Sequence, residues 1–442
     1  MIKQKKKKKR IIHKRNVILM FYMGYIKSYS DKIPYFRKIA KNLWAISCKF
    51  SLKLKSFIQS VDLEKVYWIN PKKIKYCFRE GSSCFSLYPI YTGKLFIKDW
   101  DLTQNLAKFE ETNCYRGHYK HFIEGREWEE TEFYQAVLNK MENGMFKWGC
   151  SSEGEFMKRC EELNKLYEDI KKNGLKTQKM LGKGKILKHK GIREVEDEIL
   201  VAVSRNGDLI FYDGNNRLAI AKILNLDKIP FKIIHRHEKW MKFRKEILLY
   251  VKTKMVRKVY QPLLHPDLSD IPSVWGNERF EIIKQNFTIN SGRLLDIGAH
   301  WGYFCHKFEE IGFNCTAIEN SPENFYFLRK LKRAGNASFN IINKSIFDYE
   351  EVLNFDIIIA LNIFHHFLKE KKSYYKLITL LRKLKAKEIY FQTDKPEKIK
   401  TKGRYKNYSS EEFVNFIIKN SNFAKADCIG EVRGNKIYKL YH

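Results

Sequence analysis

Residues 294–320 read LLDIGAHWGYFCHKFEEIGFNCTAIEN. Two apolar runs each carry an acid at their end, Asp296 and Glu319. A glycine-containing turn and an amphipathic segment lie between them. The pattern predicts strand, turn, helix and second strand. Gly298 supplies backbone dihedrals barred to other residues, and Gly302 lets a ligand approach the next helix closely. Tyr303, Phe304, Phe308 and Ile311 recur along that helix, and Gly312 closes it. In doubly wound sheets ligands bind beyond the carboxyl ends of the strands, at a switch point. Asp296 and Glu319, 23 residues apart, fall at two such ends.

Working outward, residues 276–442 alternate between strand-like and helical segments. Apolar runs at RLLDIG, NCTAIEN, SFNIINKS, FDIIIALN and EIYFQTD predict five strands. Helices are expected over 302–311, 322–334, 369–384 and 410–420. Ser321 is a natural N-cap with Pro322 at the first helical position. Ser409 and Glu412 fit a capping box. This alternation predicts a parallel, doubly wound α/β sheet with helices on both faces. The closing segment DCIGEVRGNKIYKLYH reads as a hairpin turning at Gly434–Asn435. The last strand should then be antiparallel, making a seven-stranded sheet.

The ligand follows from charge. A dinucleotide site wants G-x-G-x-x-G and a helix N-terminus aimed at pyrophosphate. This turn is G-x-x-x-G, and Asp296 beside it would repel a diphosphate. It suits a cationic ligand, while a carboxylate at Glu319 can accept both hydroxyls of a ribose. The segment resembles the class I methyltransferases that use S-adenosylmethionine, whose first motif ends a strand with an acid and a glycine turn. The resemblance covers roughly 276–442 and implies a Rossmann-like fold. It implies that Asp296, Gly298, His300 and Gly302 surround the methionine end of that cofactor and that Glu319 holds its ribose. It places Asn320 and Ser321 beside the adenine, with the NKSIFD loop over the other face. Many members have Asp where this chain has Ser345; either Ser345 or Asp348 takes that contact.

The fourth strand ends FDIIIALNIFHHFL, and the resemblance implies that Asn362, His365 and His366 sit over the transferred methyl. The segment lacks the prolines of base and amide methyltransferases, and no cysteine nucleophile lies near 362. It resembles the small-molecule and sugar O-methyltransferases, where a histidine takes a hydroxyl proton. An imidazole suits that task at neutral pH. His365 is the candidate base, against a packing or capping role that His366 fits better. No metal ligand set is expected, because polarity at the surface explains His118, His121 and Glu124 more simply.

The middle of the chain reads GDLIFYDGNNRLAIAKILNLDKIPFKIIHRH from 207. A strand meets a turn, and a helix begins near Asn216 with Leu218, Ala219, Ala221, Ile223 and Leu224 on its buried side. A turn rich in N–H groups before a helix is an anion site, and Arg217 adds a fork for phosphate. This resembles the ParB and sulfiredoxin superfamily, with VYWINPKKIKY and LYEDIKKNGLKTQ as its opening strand and first helix. The resemblance covers about 61–250, an α+β domain with a helical insertion near 99–150. It implies nucleotide phosphates at Asp213, Gly214, Asn215, Asn216 and Arg217. The plain alternative is that Asp213 caps the turn and Arg217 makes an ion pair.

The 442 residues carry 84 Lys/Arg against 50 Asp/Glu, a net charge of +34. Residues 1–60 form a basic arm with 17 Lys/Arg and one acid, Asp31. Such an arm attracts polyanions or an anionic membrane surface, or is a solvated tail. Residues 17–57 look amphipathic, with Phe36, Ile39, Leu43 and Ile46 at helical spacing. The apolar run near 17–26 is too short to span a bilayer. Nine scattered cysteines without a Cys-x-x-Cys pair predict reduced thiols and a cytoplasmic protein, with Cys305 and Cys315 packed inside. Residues 251–275, with Pro262, Pro266 and Pro272, read as a connector. Two function classes follow. One is an enzyme methylating a hydroxyl of a small molecule or glycan. The other is a nucleic-acid module whose basic arm and ParB-like domain grip phosphates while the methyltransferase acts on nucleic acid.

Overall fold

The computed structural model describes residues 65–79, 99–143, 150, 152–177, 180–181, 198–254, 257–350, 353–392 and 404–442. The basic arm at 1–60 and its expected amphipathic helix lie outside these. The chain divides into two compact units, 1–243 and 244–442. Residues 251–275 belong to the second.

The first unit is built on a mixed six-stranded sheet. Its strands are β1 (Val66–Ile69), β2 (Tyr76–Phe78), β3 (Leu106–Lys108), β4 (Ile199–Val203), β5 (Leu209–Asp213) and β6 (Ile229–Arg236), in the order β1-β6-β4-β5-β2-β3. The insertion folds as the helices α1 (Asn113–Phe122) and α2 (Glu132–Glu142), followed by α3 (Glu153–Asn173). Trp128, Phe133, Tyr134, Phe156 and Leu163 form a core among these helices. Helix α4 (Asn215–Ile223) begins one residue earlier than expected, because Gly214 adopts φ 97° and caps it. Helix α5 (Glu238–Lys254) follows, and its residues from Arg244 onward belong to the second unit.

The second unit starts its main fold with α6 (Glu278–Asn286) and then alternates. The elements are β7 (Gly292–Ile297), α7 (Tyr303–Glu309), β8 (Phe313–Ile318), α8 (Pro322–Ala334), β9 (Asn340–Ile342), β10 (Asn354–Leu361), α9 (Lys371–Lys383), β11 (Lys385–Gln392), α10 (Ser410–Lys419), β12 (Lys425–Val432) and β13 (Asn435–Tyr441). The spatial order is β12-β13-β11-β10-β7-β8-β9. β7 pairs in parallel with both β8 and β10. β13 runs antiparallel to β11 and β12, as the terminal hairpin requires. The chain runs outward from β7 to β9, then returns to the other side of β7 through β10. The switch point therefore lies between β7 and β10.

Residue alternation along the strands separates two apolar faces. Leu294, Ile357 and Ile359 pack with Phe280, Phe304, Cys305, Phe308 and Leu328 on one side. Leu295, Ile358 and Ile389 pack with Leu377, Leu381, Phe413 and Ile417 on the other. Each fully buried Leu, Ile or Phe contributes about 1.5–3 kcal/mol. The expected caps are present: the Ser321 hydroxyl accepts from Asn324 N at 3.3 Å, and Ser409 and Glu412 close a capping box. Cys305 and Cys315 are buried.

The terminal hairpin corrects one expectation. Its turn is Arg433–Gly434, and Asn435 already begins β13. A two-residue hairpin turn of this hand needs φ above zero at both central residues. Arg433 has φ 55° and Gly434 φ 79°.

Gly302 is where the fold makes its tightest demand at the β7–α7 turn. Its φ is 83°, and a Cβ there would lie 2.4 Å from Leu328 Cδ1. Gly302→Ala should cost about 1–3 kcal/mol through strain and overpacking. That corresponds to a melting temperature about 2–10 °C lower. A thermal melt within a degree of wild type would mean that Leu328 gives way without cost.

Candidate functional site

The turn after β7 is sewn to the end of β8. The amides of Gly298 and Ala299 both donate to the Ile318 carbonyl, at 2.9 and 3.0 Å. Gly298 has φ 72° and His300 φ 53°. A non-glycine residue in the left-handed region costs about 1 kcal/mol. Here that conformation aims the His300 amide at Glu319 Oε2, 2.9 Å away. The Ser321 amide donates to Oε1 of the same carboxylate at 2.8 Å. Glu319 thus joins the β7 turn to the start of α8. Burial raises its pKa, opposed by these backbone N–H groups. The Asn324 side chain and the Asn320 amide also donate to this carboxylate, so it is held by four groups at the mouth of the turn.

Asp296 is 3% exposed. Burial, then the nearby Glu319, push its pKa up to about 7, against the pull of Arg279. Cys305 Sγ reaches its Oδ2 only at 4.0 Å. Arg279, on α6, is 1% exposed. Its guanidinium lies 4.3 Å from the Trp275 ring centre, 5.5 Å from Phe304 and 5.7 Å from Tyr260. Burial holds its pKa below the usual arginine value, against Tyr260, Tyr303 and Asp296. The Tyr260 ring lies 5.3 Å from His300, and its hydroxyl accepts from Asn362 Nδ2 at 2.9 Å. Burial lowers the His300 pKa to about 4, so its ring is neutral.

Five buried polar atoms around Tyr260 have no hydrogen-bond partner among the described residues. They are His300 Nδ1, Asn362 Oδ1, Arg279 Nε, Trp275 Nε1 and Gln261 Oε1. Buried polar atoms are satisfied in the great majority of cases. A cluster of donors and acceptors beside a buried carboxylate is what a polar ligand would complete.

The structure brings Asp296, Gly298, His300, Gly302, Glu319 and Asn362 together at the switch point. Asn362 follows β10 directly, with φ 55°. Asn320 is exposed. Ser345 turns its hydroxyl to Phe347 N at 3.3 Å, capping the short turn Ile346–Asp348, and Asp348 is exposed. Asn343, not singled out from the sequence, donates to the Glu319 carbonyl at 2.8 Å. His365 is 8% exposed in the turn after β10, and His366 is exposed, their rings 4.2 Å apart. Arg279, Tyr260 and Trp275 were also not anticipated. Nothing in ERFEIIKQN marks its arginine as the buried one, apart from its position four residues before Ile283.

In the first unit, Asp213 Oδ1 accepts from its neighbour Gly214 N at 2.7 Å, and Asn216 Oδ1 accepts from Cys114 Sγ at 3.5 Å. Asn215 is exposed and Arg217 half-buried. His118 is buried among Phe122, Trp128 and Phe133, with its pKa lowered to about 4 by burial. His121 instead binds the Arg126 carbonyl at 2.7 Å and Asn164 Oδ1 at 3.0 Å. Among the described residues, no three His, Cys, Asp or Glu side chains are grouped to hold a metal ion. No helix among them is long and apolar enough to cross a membrane.

No protein-family model matches the chain, and no curated protein does. Solved structures do match in part. The bifunctional kinase-methyltransferase WbdD is 19% identical, over 44% of this chain and 46% of that one, with a TM-score of 0.37. The chain thus spans less than half of WbdD. The N-methyltransferase NodS from Bradyrhizobium japonicum WM9 is 13% identical, over 37% of this chain and 92% of its own, with a TM-score of 0.29. The methyltransferase domain of bacterial CtHen1 is 11% identical, over 38% and 98%, at 0.31.

Proposed function

We propose that the second unit is an S-adenosylmethionine-dependent methyltransferase acting on a hydroxyl of a small molecule or glycan. The observation that supports it most is Asp296, a buried carboxylate at the switch point, beside a second carboxylate, Glu319, at the next strand end. A phosphate site would present N–H donors there and no acid. Two acids in that place suit a ligand with a cationic end and a ribose. The unsatisfied atoms of His300, Asn362 and Arg279 fit a polar amino-acid end. S-adenosylmethionine, when bound, supplies a methyl group carried on a sulfonium.

Each residue then has a defined task. Asp296 offsets the positive charge of the amino-acid end. Gly298, His300 and Gly302 shape the turn around it. Glu319, at the end of β8, is the acceptor for the ribose hydroxyls, which displace donors such as the Asn324 side chain. Asn362 closes the site from β10. His365 receives the acceptor's proton on an imidazole nitrogen, which makes the hydroxyl a better nucleophile.

Titration calorimetry with S-adenosylhomocysteine tests the cofactor assignment. Wild type should show one site. Glu319→Ala, which removes charge-assisted bonds to the ribose, should weaken it about 10- to 100-fold. No heat from wild type, or an unchanged affinity in the variant, would overturn the assignment.

A further inference from the structure

We infer that the tyrosines and lysines beside the His365 turn form the docking surface for the methyl acceptor, and that this acceptor is a sugar chain carrying carboxylate or phosphate groups. The inference rests on the methyltransferase reading of the second unit and names the class of glycan it would take.

Two segments build the surface. The start of α9 supplies Tyr374, Tyr375, Lys371 and Lys372, and the segment before α10 supplies Tyr405 and Lys406. Both are fastened to the turn Phe364–Leu368, which holds His365, or to the residue after it. The Lys406 amide donates to the Leu368 carbonyl at 3.1 Å, and the Tyr405 amide to the Lys369 carbonyl at 3.0 Å. The Ser373 hydroxyl donates to the Phe367 carbonyl at 3.0 Å. A molecule resting on these rings is therefore held by the same backbone that places the candidate base.

Tyr375 is 53% exposed, and its hydroxyl shares a hydrogen bond with that of Tyr405. Tyr374 backs the pair, stacked on Phe416 at 5.3 Å, with its hydroxyl 3.1 Å from that of Tyr408. Lys369, Lys371, Lys372 and Lys406 are exposed around these rings, and none forms an ion pair among the described residues. Glu370 is the one acid within 368–376. Such a surface is complementary to an anion. The ring planes decide which kind. Single-stranded nucleic acid stacks successive bases on aromatic faces. Here Tyr374 meets Tyr375 at 76° and Tyr405 at 60°, and Tyr375 meets Tyr405 at 47°. No two of these faces lie parallel to receive successive bases. A sugar ring needs one electron-rich face for its C–H groups and hydroxyls at the rim for its own, and Tyr375 with Tyr405 offers both.

Calorimetry on the full chain with S-adenosylhomocysteine present compares four probes: phosphorylated maltohexaose, hexagalacturonate, plain maltohexaose and hexauridylate. At least one anionic hexasaccharide should bind about 10-fold or more tightly than plain maltohexaose. Tyr375→Ala should weaken it about 3- to 10-fold, and Tyr375→Phe, which keeps the ring, should restore most of that. Replacing Lys369, Lys372 and Lys406 together by Ala should weaken it about 5- to 50-fold and reduce its salt dependence. The basic arm is common to every variant, so these differences report on the tyrosine–lysine surface. The substituted side chains are exposed, so melting temperature and S-adenosylhomocysteine affinity should match wild type. Anionic sugars that bind no more tightly than plain maltohexaose, or that bind all variants equally, would overturn the inference. So would hexauridylate binding more tightly than both anionic sugars, which would make nucleic acid the acceptor. If S-adenosylhomocysteine binds and neither anionic sugar does, the methyltransferase reading stands and this inference falls. If S-adenosylhomocysteine itself gives no heat, the methyltransferase reading falls and takes the acceptor role with it.

Discussion

Asp296→Asn should abolish a pH dependence that wild-type cofactor binding displays. In the free protein the Asp296 carboxyl titrates near 7, far above its ordinary value of 3.8, because it is buried. The folded state therefore keeps a proton between about pH 4 and 7 that the unfolded chain has released. The stability this gives is complete below about pH 4 and is lost as pH rises through 7. Above pH 7 a bare buried charge opposes folding, by roughly 4 kcal/mol for a shift of this size. A ligand ammonium compensates that charge, so binding expels the proton. Affinity for S-adenosylhomocysteine should rise by up to about tenfold per pH unit toward pH 7 and level off above it. Calorimetry at pH 6 in buffers of different ionisation enthalpy should report release of about one proton. Asp296→Asn should bind at least about 100-fold more weakly at pH 8, release no proton and show a flat profile. It should also melt higher than wild type at pH 8 without ligand, since its amide carries no charge to bury. A flat wild-type profile, or a variant that melts lower at pH 8, would place the titrating group elsewhere.

His365→Ala should lower kcat about a hundred- to ten-thousand-fold, the usual range for a positioned general base. A hydroxyl is a weak nucleophile until its proton begins to leave. His365 sits three residues past Asn362, where β10 leaves the sheet beside the switch point, and it is buried while His366 is exposed. S-adenosylhomocysteine affinity should stay near wild type, because no cofactor task is assigned to this ring. The acidic limb of the pH–rate profile should vanish with it. The measurement is transfer of labelled methyl to a panel of glycans and small hydroxylated molecules, using whichever turns over fastest. A kcat within about threefold of wild type would leave transfer to proximity and alignment.

Much of the second unit was legible in its residues because its signals are local. The strand–turn–helix–strand reading of 294–320 depends on apolar spacing and two glycines, and β7, α7 and β8 follow it closely. Ser321–Pro322 and Ser409–Glu412 announced their helices because a cap is satisfied within four residues. The turn Arg433–Gly434 was misplaced by one position because an arginine with φ 55° carries no mark in the sequence. Ser345 shows the same limit: its hydroxyl caps its own turn, a choice that depends on the φ and ψ the loop finally adopts.

The sequence by itself determined the order of strands and helices, the acids at two strand ends and the large positive charge. Periodicity, capping and composition are properties of neighbours along the chain, and they survive without knowledge of the fold. Only the tertiary structure decided which side chains lose their water. Helix α6 carries both Arg279 and Lys284, yet the first is 1% exposed and the second exposed. The difference arises from where Tyr260, Trp275 and Phe304 converge, residues up to 44 positions apart in sequence. Burial raises the pKa of Asp296 and leaves Arg279 without a full set of partners. Both effects depend on the dielectric and on neighbours brought together by packing, which no linear spacing encodes.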